Sequence, residues 1–292
     1  MHLEQMALHH QALLQDRLKS VRVFFSEYSF ANLYLFRGAH DHHVLREGEQ
    51  VFITGKTYDG FSYIMPTQDP RAQNMDTLLD LAKGYDLIFP IPEEWLGAFK
   101  GSGYEPEFSD GDSDYIFSVE KLSTYKGQKL HSKKNLLNQF LSLYTPVARP
   151  LTMDLMPEAR RVLDAWQKDA GESDAATDYV PCSEALEHYD DLVLCGGIYY
   201  VEKEPVGFII GEEQNKTMFA LHFAKGNRQF KGIYQYMFNQ FARILPEKYQ
   251  YLNFEQDLGK LALRIAKSSY HPDQILEKYR LRLKPGPSRA NQ

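Results

Sequence analysis

The stretch Tyr251-Leu-Asn-Phe-Glu-Gln-Asp-Leu-Gly-Lys-Leu-Ala-Leu-Arg-Ile-Ala-Lys-Ser-Ser-Tyr270 predicts a short strand, an acidic loop and a helix, in that order. Aromatic and branched residues up to Phe254 favour an extended strand. Glu255, Asp257 and Gly259 then break the strand pattern, and apolar residues recur after them at helical spacing. Such a strand, loop and helix belong in a sheet that is flanked by helices.

Four charged side chains of this stretch have a spacing that suits substrate binding. Glu255 and Asp257 follow the strand, whereas Arg264 and Lys267 lie three residues apart and therefore share one helical face. Two carboxylates and two cations in this arrangement could bind a zwitterionic or phosphate-bearing substrate. The alternative is a loop with a helix cap and a solvated helix face, since charged side chains usually lie in water.

The order of predicted elements repeats in the two halves of the chain. The second half predicts three strands, a helix, a strand, a helix and a final strand, over residues 192–202, 206–213, 217–224, 229–245, 249–254, 260–270 and 277–283. The first half gives the same order, β-β-β-α-β-α-β. Pro146 and Pro150 mark a boundary between the halves. We therefore predict two domains, 1–145 and 146–292.

This element order is that of the GNAT acyltransferase fold. The predicted class is α+β, with two tandem GNAT-like domains that each have a mixed central sheet flanked by helices. In that fold a helix with the pattern Gln/Arg-x-x-Gly-x-Gly/Ala cradles the pyrophosphate of acyl-CoA, because helix N-termini attract anions. Gln229 and Gly232 match this pattern and are candidate cofactor-binding residues, but Tyr234 stands where a small residue is expected.

Composition narrows the class of protein and of partner. The chain has 292 residues, of which 43% are hydrophobic and 25% charged, as in a globular protein. A net charge of −6 argues against a general polyanion binder, and nothing indicates DNA as a partner. The two cysteines, Cys182 and Cys195, are too few for a disulfide framework. No apolar run reaches the roughly 20 residues that cross a bilayer, and no signal peptide is evident, so we expect a cytoplasmic protein.

A dense basic segment precedes the boundary between the halves. Its cationic residues are Lys126, Lys129, His131, Lys133 and Lys134. Five such groups within nine residues could contact phosphates. The alternative is a solvated helix start.

The histidines do not form a recognisable metal-binding pattern. The sequence also has no motif of a nucleophilic enzyme. The run His40-Asp-His-His43 has no distant partner at a metal-ligand spacing, so we predict no metal. His222 lies on a predicted core strand and is expected to be a hydrogen-bonded interior histidine, although that strand borders the expected cleft. No Gly-x-Ser-x-Gly, Walker or Rossmann pattern is present.

Two motifs together resemble a known family. They are Tyr125-Lys-Gly-Gln-Lys-Leu-His-Ser-Lys-Lys-Asn135 and Asn253-Phe-Glu-Gln-Asp-Leu-Gly259, the second followed by Arg264, Lys267 and Tyr270-His-Pro272. They are similar to the C-terminal domain of phosphatidylglycerol lysyltransferase, over about Phe25 to Leu283. Members of that family resemble a tandem pair of GNAT folds, as do the Fem-type peptidoglycan aminoacyltransferases.

The resemblance implies aminoacyl transfer from a charged tRNA to a lipid hydroxyl or an amine. An aminoacyl ester is already activated, so the site must orient the acceptor, stabilise an oxyanion and accept a proton. On this interpretation Glu255 and Asp257 are the catalytic candidates and hold a substrate ammonium. The substrate-binding candidates, which include cations for tRNA or lipid phosphates, are Asn253, Arg264, Lys267, Tyr270, Lys126, Lys129, Lys133 and Lys134.

One departure from the family leaves the acceptor open. The lysyltransferases that modify membranes carry transmembrane helices before this domain, and this sequence predicts none. The acceptor could therefore be a lipid head group, a peptide or a small molecule. The alternatives to aminoacyl transfer are an acyl-CoA-dependent N-acetyltransferase and a non-catalytic binding or regulatory module.

Overall fold

The structure is a computed structural model, and it describes residues 1–72 and 74–284. The strands are β1 His2–Gln5, β2 His43–Glu47, β3 Gln50–Lys56, β4 Ser62–Pro66, β5 Leu87–Ile91, β6 Tyr104–Phe108, β7 Asp114–Ser118, β8 Pro146–Pro150, β9 Cys195–Val201, β10 Glu204–Glu213, β11 Met218–Gly226, β12 Tyr251–Asn253, β13 Gln274–Leu276 and β14 Tyr279–Leu283. The α-helices are α1 Gln11–Ser20, α2 Phe30–Leu35, α3 Arg37–His40, α4 Met75–Ala82, α5 Val119–Thr124, α6 His131–Leu143, α7 Met156–Ala170, α8 Tyr179–Glu187, α9 Ile233–Ile244 and α10 Leu261–Ser268.

These elements form two compact units that do not follow the halves of the chain. The first unit contains Met1–Ser113, Gln256–Lys260 and, within the described residues, 276–284. The second contains Asp114–Glu255 and Leu261–Ile275. Residues 114–145 therefore pack with the second unit, and the units divide elsewhere than at the expected boundary. The ranges 1–145 and 146–292 stay a prediction about the two copies of the fold.

The first unit is built on a mixed sheet with the strand order β1-β2-β3-β4-β5-β14-β6. Its pairings are antiparallel except between β4 and β5, which run parallel. Every residue of β5 is buried, as expected for a central strand with both faces covered. The strand β6 was not predicted, because its proline and charged residues hide the alternating pattern.

The second unit repeats this arrangement with the order β13-β7-β12-β11-β10-β9-β8. The parallel pair is β11 and β12, and β7 lies antiparallel beside β12. Helix α9 packs on β10 and β11 and against α5 and α6, whereas α7 packs on the same two strands and against α8. The second sheet is therefore a mixed sheet with helices against it, as the sequence predicted.

The two halves exchange their last strands. β7 ends the first half but belongs to the second sheet, and β14 ends the second half but belongs to the first sheet. In both sheets the exchanged strand lies antiparallel to the second strand of the parallel pair. The sequence predicted both strands without their partners, because the alternation of apolar residues specifies a strand and its faces but not its neighbour.

Candidate functional site

The candidate site lies where two parallel strands of the second unit separate. β11 and β12 are paired only at Met218 with Tyr251, Phe219 with Leu252 and Ala220 with Asn253. Beyond Asn253 the chain leaves the sheet, while β11 continues for six more residues, from Leu221 to Gly226. A gap therefore opens beside β11, and polar side chains from neighbouring strands gather at its start.

A β-bulge places His222 at this gap. Ile210 of β10 pairs with Phe223, but the next residue, Gly211, pairs with Leu221, so His222 is the extra residue on β11. Bulges of this kind re-aim a side chain and are common beside functional sites. Gly211 is required there, because a Cβ atom would lie 2.0 Å from the Ala220 carbonyl oxygen.

His222 lies between two carboxylates. Its Nδ1 is 2.7 Å from Glu255 Oε1 and its Nε2 is 3.0 Å from Glu212 Oε1. The imidazole is fully buried, whereas 12% of the Glu212 side chain and 14% of the Glu255 side chain are exposed. Burial alone would lower the pKa of His222, but the charge of Glu255 and the hydrogen bonds to both carboxylates raise it to about 10. The ring is therefore an imidazolium at neutral pH.

The backbone of Glu255 is held in a left-handed conformation, with φ of 59°. A non-glycine residue adopts this conformation at a cost, and such residues cluster at functional sites. The Glu255 amide donates to Asn253 Oδ1 at 2.7 Å. Its carbonyl oxygen accepts from the Tyr115 amide at 3.3 Å and from Lys267 Nζ at 3.1 Å. These contacts fix the carboxylate of Glu255 toward His222.

Asn253 connects the site to β7 and to the turn that follows β10. The side chain is fully buried, and its Nδ2 donates to Asp114 Oδ2 at 3.1 Å and to Gln214 Oε1 at 3.3 Å. Of the predicted site residues, Asn253, Glu255 and Lys267 thus lie together in the second unit. The role of each stays a prediction.

Asp257 and Arg264 have other surroundings. Asp257 belongs to the first unit, is fully buried, and its Oδ1 accepts from the Gly259 amide at 2.8 Å. This contact closes a turn of the acidic loop, so the residue has a structural role as well as its predicted catalytic one. Arg264 is half-buried on α10, one turn before Lys267.

The basic segment divides into exposed and packed side chains. Lys126, Lys129 and Lys134 are exposed around the start of α6. Lys133 is half-buried: its Nζ donates to Ser269 Oγ at 2.6 Å and lies 4.1 Å from the centre of the Tyr270 ring. Burial lowers the pKa of Lys133. Tyr270 itself is part of the hydrophobic core of the second unit, which limits its access to substrate.

Close packing against α6 explains why residue 232, in the expected pyrophosphate-binding pattern, is a glycine. Gly232 is the N-cap of α9 with φ of 98°, and a Cβ atom there would lie 2.5 Å from the Leu136 carbonyl oxygen of α6. Gln229 is exposed. The Tyr234 hydroxyl lies against the backbone of Gly226 at the end of β11. These contacts account for Gly232 without an acyl-CoA, and cofactor binding by Gln229 and Gly232 stays a prediction.

His42, which lies outside the site, has both ring nitrogens hydrogen-bonded to protein groups. His42 contacts the Leu33 carbonyl oxygen and the Tyr63 hydroxyl, and burial lowers its pKa to about 3. Within the described residues, one group with metal-ligand geometry is Glu4 with His9 and His10, whose ligand atoms lie within 4.8 Å of one another. The Ala7 amide, however, donates to His10 Nδ1 at 3.1 Å, which places the proton of a neutral ring on Nε2. We assign this group no metal.

Sequence reasoning missed part of the site. His222 was expected to be a satisfied interior histidine, and both of its ring nitrogens are indeed hydrogen-bonded. Its proximity to Glu255 and Glu212 was not predicted, although both residues lie at predicted strand ends beside the gap. The bulge that brings them together leaves no pattern in a single sequence.

The two mixed sheets define the class of protein: the chain has two tandem GNAT-like domains, as the element order predicted. It belongs to the family of phosphatidylglycerol lysyltransferase C-terminal domains, whose model matches residues 19–282. Among curated proteins, an uncharacterised protein of Mycoplasmoides gallisepticum is 22% identical over 221 residues, or 70% of each chain.

Solved structures share the fold over nearly the whole chain. A conserved protein of unknown function from Bacteroides thetaiotaomicron is 25% identical with a TM-score of 0.84, and the match covers 97% of this chain and 99% of that one. L-PGS from Bacillus licheniformis is 15% identical with a TM-score of 0.65, over 98% of this chain and 94% of that one. Along the described part of the chain, no helix has the length and apolar character needed to cross a membrane.

Proposed function

We propose that this chain transfers an aminoacyl group from a charged tRNA to a hydroxyl or amine acceptor, at the gap between β11 and β12. The observation that carries the proposal is His222 held between Glu212 and Glu255 where the parallel strands part. Family membership supports a GNAT-like acyl transfer, and the aminoacyl donor is the finer part of the proposal.

The two carboxylates bind the ammonium of the aminoacyl group and accept the proton of the acceptor. A protonated His222 between two carboxylates leaves one net negative charge, which attracts the ammonium of an aminoacyl group. The acceptor oxygen or nitrogen bonds to the ester carbonyl carbon, and the bond from that carbon to the tRNA ribose oxygen breaks. The acceptor proton passes to the Glu255 carboxylate and then to the ribose oxygen.

Cations near the site are suited to phosphates of the donor. Lys267 is anchored on the Glu255 carbonyl oxygen, and its ammonium lies beside the gap. The exposed Lys126, Lys129 and Lys134 surround the start of α6, where a positive helix end adds to their charge. We therefore propose that the basic segment contacts the tRNA backbone while the acceptor is a lipid head group, a peptide or a small molecule.

The direct test incubates the purified chain with radiolabelled aminoacyl-tRNAs and a cell lysate and follows the label. Glu255→Gln should lower the transfer rate by about 10²–10⁴-fold, because it removes the proton acceptor and retains the side-chain shape. Glu204→Gln is the matched control, since Glu204 is exposed at the start of β10 and should leave the rate unchanged.

Three outcomes separate the alternatives. Full activity of Glu255→Gln would refute the assignment of this residue. Tight binding of charged tRNA without transfer by the native chain would indicate a binding module. Acetyl-CoA-dependent thermal stabilisation, without transfer from tRNA, would indicate an acyl-CoA-dependent enzyme.

A cytoplasmic location fits this proposal, because charged tRNA is found there. Cys182 and Cys195 are both free thiols, as expected in a reducing compartment. Fractionation of cells that express the natural chain tests the location.

A further inference from the structure

The second unit contains a buried cation that the proposed reaction does not use. Lys225 of β11 is only 4% exposed, and its Nζ lies 3.5 Å from the centre of the Trp166 ring on α7. The ammonium donates to Asp178 Oδ1, and Asp178 is 37% exposed. The carboxylate is therefore the solvent-side partner and covers the lysine.

Asp178 has a second possible partner that it does not use in this structure. It is the N-cap residue of α8, yet its side chain makes no capping hydrogen bond. An aspartate at this position normally accepts from the amide at N2 or N3. Here N3 is Pro181, which has no N–H, so the Val180 amide at N2 is the donor that a cap would use. The same carboxylate can thus pair with Lys225 or cap α8.

We propose that Lys225 is an anion site for a phosphate group, and that Asp178 occupies it until such a ligand arrives. A phosphate that displaces Asp178 replaces one negative charge on the lysine by another. Asp178 then turns to the Val180 amide, and the cap offsets part of the lost ion pair. The two arrangements are discrete, and a ligand shifts their populations only because it binds one of them better.

A phosphate suits this site better than a carboxylate does. Arg160 of α7 donates to the hydroxyl and the carbonyl oxygen of Ser183 and pairs with Glu187 at 3.1 Å, so its charge is already balanced at α8. A phosphate carries more than one negative charge near neutral pH, so the Lys225 ammonium attracts it more strongly than it attracts a single carboxylate.

Lys225 and His222 lie on the same strand, β11, but the anion site and the proposed reaction site are separate. Lys225 is three residues beyond His222, which is about 10 Å along an extended strand. The proposal goes beyond the proposed function, and its test needs no turnover.

The test is thermal unfolding of purified variants with inorganic phosphate, 5′-AMP or glycerol 3-phosphate at constant ionic strength. Asp178→Asn removes the competing charge but can still cap α8. We expect phosphate to raise its Tm by about 2–4 °C at several times Kd, and to raise that of the native chain by less. The double variant Asp178→Asn with Lys225→Gln should lose the response. A larger response to 5′-AMP would indicate a nucleotide, and equal responses a lone phosphate group.

The matched control is Asp80→Asn, which removes the same charge from an exposed pair with Lys83. A response of Asp178→Asn no larger than that of Asp80→Asn would overturn the proposal, as would a response that persists without Lys225. In an NMR titration of the native chain with phosphate, the chemical shift of the Val180 amide should also change until it reaches a plateau. A flat titration would overturn the switch, and this measurement decides alone if Asp178→Asn does not fold.

Discussion

At the scale of single residues, His222 separates two carboxylates that would otherwise repel each other. Glu212 and Glu255 each contact one ring nitrogen, so the imidazolium stabilises both ionised side chains. This explains how a sheet interior tolerates two glutamates, which are seldom buried without partners.

Replacement of His222 by glutamine should change how stability depends on pH. The folded-state pKa of about 10 lies above the ordinary value of 6.5, so the group stabilises the fold fully below about pH 6.5 and loses this effect as pH rises through 10. The native free energy of unfolding should fall across this window, whereas that of His222→Gln should lack this fall. Each pKa unit corresponds to about 1.4 kcal/mol.

Urea denaturation at a series of pH values between about 6 and 10 measures the difference, since it reports unfolding free energy directly. Parallel curves for the two chains would show that the imidazole is not protonated in the fold. The ring protons of His222 in NMR spectra give an independent reading of the same pKa.

Gly211 is the residue that lets β10 and β11 approach at the bulge. Alanine there would place its Cβ 2.0 Å from the Ala220 carbonyl oxygen and 2.6 Å from a ring carbon of Phe219. Gly211→Ala should therefore destabilise the chain by about 1–3 kcal/mol or more, as overpacking does. The measurement is chemical denaturation of this variant beside the native chain.

Gly38 is the matched control for this substitution. It lies in α3, and no atom lies within 4 Å of the position that a Cβ would occupy there, so Gly38→Ala should be neutral or stabilise by about 0.4–1 kcal/mol. Equal effects of the two substitutions would contradict the tight packing at the bulge.

At the scale of elements, the basic segment matters through its exposed lysines. Charge reversal of Lys126, Lys129 and Lys134 together should weaken binding of charged tRNA, and the slope of log affinity against log salt should fall by about 0.7–0.9 per lost phosphate contact. Lys133 is left intact, because its ammonium is bound to Ser269 and Tyr270. Filter binding at several salt concentrations measures both quantities.

An equal charge change elsewhere controls for net charge. The triple reversal of Lys19, Lys83 and Lys100, which are exposed in the first unit, should alter tRNA affinity much less. If the two triple variants lose the same affinity, the segment from Lys126 to Lys134 is a solvated helix start.

At the scale of the whole molecule, the exchanged strands decide which fragments can fold. Residues 114–275 contain the second unit and its sheet except for the last residue of β13, so this fragment should unfold cooperatively on its own. Residues 1–113 lack β14, which lies between β5 and β6, and should not fold alone. Joining 276–284 to 1–113 through a flexible linker should restore cooperative unfolding, as followed by circular dichroism.

The ion pairs of the last strand give a physical reason for this expectation. Lys278 and Glu27 form a buried pair at 2.6 Å, and Arg280 of β14 contacts Asp112 at 2.6 Å and Asp59 at 2.7 Å. Removal of one partner would leave the other buried and uncompensated. Cooperative unfolding of 1–113 alone would contradict the need for β14.

Local patterns in the sequence predicted the mixed class of the fold, its duplication and the order of most elements, but they missed β6. These follow from local alternation and helical periodicity, which each segment carries within itself. The spacing of charges along one strand, loop and helix indicated Glu255 and Lys267 as site candidates, and the family resemblance added Asn253. Their proximity in the second unit is a consequence of short separation along the chain.

The pairing of strands and the contacts between distant residues became clear only in the folded chain. The exchange of β7 and β14, the bulge at His222 and the contacts of Glu212 and Lys225 all join residues that are far apart in sequence or depend on register. A strand's pattern specifies its faces and not its partner, so these pairings follow from burial in the completed sheets. For the same reason the packing of Lys133 on Tyr270 was not predicted, although Lys133 was one of several lysines proposed to bind phosphates.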